Sequence, residues 1–174
     1  VGLLSPSSII DFGGSSGWVM DYLQNTIPEN TISSYSIIEI ESVVKHMQIS
    51  ELQANIIKYQ TLDEPLNHCD LLYSNSALQY IESNALFLSL IERTTPNYIF
   101  LEDLVAKGEK DFFGTQSYGD KAIPYRFIGL DNLINDLSSV GYRKLVRSPY
   151  MCPVLGVMKP LPMENFPENF RLQY

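Results

Sequence analysis

An apolar run, Ser8-Ile9-Ile10, ends in Asp11 and passes at once into Phe12-Gly13-Gly14-Ser15-Ser16-Gly17. Three glycines in five residues make a turn where the backbone can take positive φ and come close to a ligand. Trp18, Met20, Tyr22 and Leu23 then open a helix that should stop before Pro28, and a second apolar run, Tyr35 to Ile38, ends in Glu39. Strand, glycine turn, helix and strand, with an acid at each strand tip, is a plan for gripping a nucleoside. It also restricts the chain to an α/β fold with a largely parallel sheet.

The alternation continues. Ser34 to Ile40 read as the second strand, Val43 to Met47 as the start of a helix, Asn55 to Tyr59 as the third strand and Cys69 to Ser74 as the fourth. A helix over Asn84 to Arg93 and a fifth strand at Tyr98 to Leu101 follow. These strands are short and apolar throughout, as strands covered on both faces are. From Val105 to Tyr125, Gly108, Gly114, Gly119 and Pro124 sit among polar and aromatic residues, so this stretch reads as a long connection or lid. Asp131 to Val140 returns as a helix, with Asp131 as N-cap and Gly141 as the residue just past its end. Tyr142 to Ser148 and Val154 to Lys159 read as a closing antiparallel pair, and residues 161–174 as an extended tail.

At 174 residues, 45% of them hydrophobic, the chain is long enough for one full core and too short for two ordinary domains. Twenty acids against 12 lysines and arginines give a net charge of −8, so a polyanion meets a repulsive average field. Nucleic-acid proteins carry a basic stripe; here only Arg143, Lys144 and Arg147 gather, and no nucleic-acid partner is expected. No stretch approaches the ~20 apolar residues that span a bilayer, and no basic-then-apolar leader opens the sequence. Cys69 and Cys152 lie in apolar contexts without partner spacing and read as buried free thiols of a reducing cytoplasm. No metal is expected: Cys69 and Asp70 adjoin His68, but neighbours on a strand point to opposite faces.

The opening motif resembles that of the class I, Rossmann-like S-adenosylmethionine-dependent methyltransferases, an acid followed by glycines at alternate positions. Asp11, Gly13 and Gly17 fall on that pattern, and Ser15 stands where the middle glycine would be. The dehydrogenase fingerprint, with glycines at its first, third and sixth positions, does not fit, because Ser15 is third from Gly13. Charge agrees: residues 1–44 hold no Lys or Arg but five acids, Asp11, Asp21, Glu29, Glu39 and Glu41. A phosphate ligand recruits cations or a bare helix N-terminus, whereas adenosylmethionine has no phosphate and carries a sulfonium. The segments Phe113 to Tyr118, Ile123 to Phe127 and Gly141-Tyr142 are similar to a family of bacterial methyltransferases found with surface-polysaccharide genes.

The resemblance implies a Rossmann-like, doubly wound, mostly parallel seven-stranded sheet with an antiparallel C-terminal strand. It places the methyltransferase domain in residues 1–160, and because the first strand begins within eight residues of Val1, further residues are expected ahead of it. It implies S-adenosyl-L-methionine as cofactor and a small-molecule acceptor, a sugar or another small polar group. Asp11 would hold the cofactor's ammonium, Gly13, Gly14, Ser15 and Gly17 would bring main chain against its methionine part, and the helix amides would favour its carboxylate. Glu39 would accept from both ribose hydroxyls, in preference to Glu41, and Ile40 would lie against the adenine. Thr61 or the Leu62 backbone would meet the adenine amino group, and Ser74, Asn75 and Ser76 would line the cofactor after the fourth strand. Tyr80, Thr115, Gln116 and Tyr118 are the acceptor-side candidates, and no residue stands out as a general base. Two rival readings are a nicotinamide-dependent oxidoreductase and a non-catalytic domain that keeps the fold.

Overall fold

A computed structural model describes residues 5–26, 28, 31–48, 56–104, 106, 108–150 and 171–173. Its elements are β1 (Ser8–Phe12), α1 (Trp18–Thr26), β2 (Ser34–Ile38), α2 (Glu41–Gln48), β3 (Ile57–Gln60) and β4 (Leu71–Asn75). A 3-10 turn at Leu78–Tyr80 leads to α3 (Ala85–Thr94) and β5 (Tyr98–Glu102). Then come β6 (Phe112–Tyr118), β7 (Lys121–Phe127), α4 (Leu130–Ser139), β8 (Ser148–Tyr150) and β9 (Arg171–Gln173). By its contacts the chain divides into two compact units, residues 1–77 with 89–100, and residues 78–88 with 101–174.

The main sheet has five parallel strands in the order β3-β2-β1-β4-β5. The order reverses between β1 and β4, and at such a switch point an open α/β sheet binds ligands beyond its strand ends. Both faces are covered, as the unbroken apolar runs require. Ile9, Tyr35, Ile37, Tyr59, Leu71 and Tyr73 pack with Met20 and Leu23 of α1 and Val44 of α2. From the alternate positions Ile10, Ile38 and Leu72 are buried as well. At the amino ends of the strands, Asp70 Oδ2 accepts from the backbone N–H and hydroxyl of both Ser7 and Ser8, at 2.9 to 3.1 Å. Asn97 Nδ2 donates to its other oxygen at 3.0 Å. The Ser7 and Ser8 donors hold the Asp70 carboxyl down at about 2 and tie the start of β4 to the start of β1.

In the second unit, β6 and β7 form an antiparallel hairpin with Phe112 opposite Phe127 and Tyr118 opposite Lys121. The expected long connection is therefore largely strand. Gly119, at φ 58°, supplies the two-residue turn, and Pro124 is tolerated because every strand of a two-stranded ribbon is an edge. Under the hairpin, Arg126 is 1% exposed. Its guanidinium donates to Asn84 Oδ1 at 2.8 Å, to the Leu78 carbonyl at 3.3 Å and to Asp111 at 3.3 Å. Burial lowers its pKa, opposed by Asp111.

Several expectations are corrected. Among the described residues the main sheet has five strands and the other strands form separate pairs, in place of the expected seven-stranded sheet. The antiparallel C-terminal pair is β8 with β9, Ser148 opposite Gln173, while 142–147 carry no strand and Val154 to Lys159 lie outside the described residues. Helix α4 starts one residue early, with Gly129 as N-cap and Asp131 inside the first turn. Asp111 Oδ1 accepts from the Gly129 N–H at 2.7 Å, a partner from another segment that local spacing could not reveal. The helix ends as expected: Gly141 has φ 94°, its N–H donates to Ser138 and that of Tyr142 to Leu137, the paired bonds of a Schellman motif.

Candidate functional site

The glycine turn is shaped by its own protein neighbours. Gly13, at φ 75°, donates to the Ile38 carbonyl at 2.9 Å, and a Cβ there would sit 2.4 Å from the Ala77 Cβ. That contact joins the carboxyl ends of β1 and β4 at the switch point. Gly17, at φ 78°, would place a Cβ 2.9 Å from Ile37 Cδ1 and 3.2 Å from the Tyr59 hydroxyl. Gly14 is the third case: its Cβ would meet Asp11 Oδ2 at 2.4 Å. Ser15 stands in the left-handed region at φ 49°, the conformation for which glycine is the unstrained choice.

Two carboxylates serve this turn differently. Glu39, just past β2, is half-buried; its Oε1 accepts from the Ser15 N–H at 3.0 Å and its Oε2 from the Ile40 N–H at 3.1 Å. Each oxygen retains a lone pair for a further donor. Glu41 instead pairs with Lys45 one turn along α2 at 2.6 Å, which lowers its pKa. Asp11 lies under the turn, 1% exposed, with Tyr35 Oη donating to its Oδ2 at 2.6 Å. Its Oδ1 has no hydrogen-bond partner among the described residues. Burial pushes the Asp11 carboxyl up to about 6 against the opposing Tyr35 hydrogen bond, with a smaller upward contribution from Glu39. Burial and the Asp11 charge likewise raise Tyr35.

The remaining candidates divide. Ile40 is 67% exposed at the β2 tip. Thr61 and Leu62 lie in a fixed turn: the Thr61 N–H donates to Glu64 Oε1 at 2.9 Å, and Arg93 donates to the Leu62 and Glu64 carbonyls. Ser74 is fully buried, its hydroxyl donating to the Phe12 carbonyl at 3.0 Å, so it ties β4 to β1. Asn75 and Ser76 are half-buried at the β4 exit, Ser76 with φ 54°. In the second unit, the exposed Tyr80 hydroxyl donates to Gln116 Oε1 at 2.7 Å, and its ring meets Tyr125 edge-on. Thr115 is the neighbour of Gln116 on β6 and therefore presents to the opposite face of the hairpin. Tyr118 ends β6, and its side chain lies outside the described residues.

Sequence reasoning missed Tyr35, Arg93 and Arg126. Only Tyr35 had a signal: it is two residues before Ile37, which pairs with Asp11, so both side chains fall on one sheet face. Among the described residues no group of His, Cys, Asp and Glu could hold a metal ion, and no helix is long and apolar enough to cross a membrane.

No protein-family model matches the sequence, and a comparison with curated proteins gives no significant match. Solved structures do match by fold. An S-adenosylmethionine-dependent methyltransferase of Mesorhizobium loti is 16% identical with a TM-score of 0.59, over 95% of this chain and 88% of that one. The 1,6-didemethyltoxoflavin-N1-methyltransferase of Burkholderia thailandensis, solved with bound 1,6-didemethyltoxoflavin and S-adenosylhomocysteine, is 11% identical with a TM-score of 0.64, over 97% of this chain and 69% of that one. Human N-acetylserotonin methyltransferase, solved with S-adenosylmethionine, is 15% identical with a TM-score of 0.56, over 99% of this chain and 48% of that one. The fold is thus the α/β, Rossmann-like fold of class I methyltransferases.

Proposed function

We propose that this protein transfers a methyl group from S-adenosylmethionine to a small polar acceptor. The observation that carries the reading is Glu39: a carboxylate at the β2 tip, fixed by the Ser15 amide to a glycine turn at the sheet's switch point. Neighbours of this fold that hold adenosylmethionine or adenosylhomocysteine support it. The donor set also fits the cofactor: Glu39 has acceptor capacity for two ribose hydroxyls, and the unpartnered Asp11 Oδ1 is a buried anion for a cationic group.

In this reading the main chain of Gly13, Gly14, Ser15 and Gly17 faces the methionine part, and Ile40 lies on the adenine. Thr61, held by Glu64, Leu62, held by Arg93, and Asn75 and Ser76 line the cofactor, while Ser74 acts by holding the strand exit in place. When bound, the sulfonium supplies an activated methyl group, which leaves the protein chiefly to align the acceptor and exclude water. Tyr80 and Gln116 orient the acceptor through hydroxyl and amide groups. A sugar or polysaccharide precursor is the acceptor we favour, on the resemblance of the hairpin to methyltransferases of surface-polysaccharide gene groups. We place the protein in the cytoplasm; the buried Cys69 thiol, pushed up to about 11 mainly by desolvation, is an inert core thiol in keeping with a reducing compartment.

Calorimetric titration with adenosylmethionine and adenosylhomocysteine tests the reading. Both should bind, and Glu39→Ala should weaken binding by roughly 1.5–3 kcal/mol, the range for hydrogen bonds to a charged group. Glu41→Ala should change little. A folded wild-type protein that binds neither compound would end the proposal, and a larger loss in Glu41→Ala would move the ribose contact to that residue.

A further inference from the structure

The structure points to a residue outside the glycine motif. We propose that Tyr35 is a positioning residue of the cofactor site, its hydroxyl pinning one oxygen of Asp11 beneath Gly14 so that the carboxylate acts through the turn on the cofactor's cationic amino-acid end. The inference rests on the methyltransferase reading above.

Three geometric facts carry it. Tyr35 is fully buried, and its hydroxyl lies 2.6 Å from Asp11 Oδ2. A buried tyrosine could have left its hydroxyl to a main-chain carbonyl; this one spends it on an acid 24 residues away. Next, the carboxyl is held close under the turn, because a Cβ on Gly14 would stand 2.4 Å from Oδ2 and 3.0 Å from Oδ1. Finally, Oδ1 is buried and unpartnered among the described residues, although Asp11 is 1% exposed. An unpaired buried carboxylate is costly unless a positive charge compensates it. The ammonium of the cofactor's amino-acid part is such a charge, and it belongs to the portion of the ligand assigned to this turn.

The groups around Asp11 determine what Tyr35 contributes. From β2 comes Tyr35 and from just past its end Glu39, from β4 comes Tyr73 in register with Asp11, and Tyr59 of β3 stands beside Tyr35. Met20 and Leu23 of α1, in the same cluster as Tyr35 and Tyr73, are apolar. Burial and Glu39 favour the protonated acid, and the Tyr35 hydrogen bond opposes them. Removing that hydroxyl therefore favours the neutral acid, which offers the cofactor's ammonium less. Binding of the ammonium displaces the Asp11 proton to solvent, so affinity should rise with pH through about 6.

The test is adenosylhomocysteine affinity between pH 5 and pH 8 for wild type, Tyr35→Phe and Asp11→Asn, with 5′-methylthioadenosine, which has no ammonium, as comparison ligand. Wild type should bind adenosylhomocysteine more tightly as pH rises, and 5′-methylthioadenosine without pH dependence. In Tyr35→Phe the midpoint should move up by about one pH unit, an effect of one hydrogen bond to a charged group, with an affinity loss of about fivefold at pH 6 that closes by pH 8. Asp11→Asn should flatten the profile while Tyr35 is intact. Carbon-13 titration of the Asp11 carboxyl in the free proteins should show the same upward movement, and a purely structural Tyr35 would not produce it. A Tyr35→Phe profile that superimposes on wild type, or a loss equal at every pH, overturns the inference and leaves the cofactor assignment standing. A folded wild type that binds neither nucleoside overturns both.

Discussion

At the residue scale, glycines that read as room for a ligand turn out to be crowded by the protein itself. Gly13 combines φ 75° with a Cβ position 2.4 Å from Ala77, so alanine there is both strained and overpacked. Left-handed strain costs about 1–2 kcal/mol and overpacking about 1–3 kcal/mol. Gly13→Ala should therefore lose roughly 2–5 kcal/mol in urea unfolding, apart from any effect on ligand. Asp11 gives a second measurable signature. Its folded pKa, about 6, stands above the ordinary 3.8, so the folded state takes up the proton more readily than the unfolded chain. That contribution to stability is fully present below pH 3.8 and is lost as pH rises through about 6, about 3 kcal/mol in all. Urea midpoints between pH 4 and pH 7 should show this slope in wild type, and Asp11→Asn should remove it.

At the element scale, the five parallel strands were legible because each is a short apolar run bounded by turn residues, and Glu39 was legible because it ends such a run. The hairpin was not. Gly114 and Pro124 are punctuation in a central strand, but a two-stranded ribbon tolerates both. The strand matters for function, since in a loop Thr115 and Gln116 could act together, whereas on β6 they are on opposite faces. Only Gln116 is joined to Tyr80. Gln116→Ala should leave adenosylhomocysteine affinity within about twofold and slow methyl transfer about tenfold, the effect of one lost hydrogen bond. Thr115→Ala should alter neither. Transfer of labelled methyl to a panel of small polar acceptors reads the rate, and an equal loss in Thr115→Ala would place the acceptor on the other face. Arg126 and Arg93 stayed hidden for another reason: their partners lie 15 to 48 residues away, and no local pattern encodes such distances.

At the scale of the whole molecule, charge chooses among ligands that one fold could hold. The Rossmann-like sheet alone serves dehydrogenases and methyltransferases alike, so the fold cannot separate a pyrophosphate ligand from a sulfonium. The field can. The net charge is −8, no Lys or Arg occurs in residues 1–44, and the carboxylates nearest the glycine turn, Asp11 and Glu39, are both built into it. A nicotinamide dinucleotide would bring two phosphate charges into that field with no cation on β1, α1 or β2 to meet them. Adenosylhomocysteine brings none. Thermal unfolding makes the comparison directly, because a ligand at a hundredfold excess over its dissociation constant stabilises the folded state by about 2.7 kcal/mol. For a chain of this size that is roughly 5–11 °C. Adenosylmethionine and adenosylhomocysteine should each raise the midpoint by that amount at a hundredfold excess over their dissociation constants, and oxidised and reduced nicotinamide dinucleotides at millimolar concentration should leave it unchanged. A shift with the dinucleotide and none with adenosylhomocysteine would turn the reading toward hydride transfer, with Glu39 still the ribose ligand but the glycine turn holding phosphate.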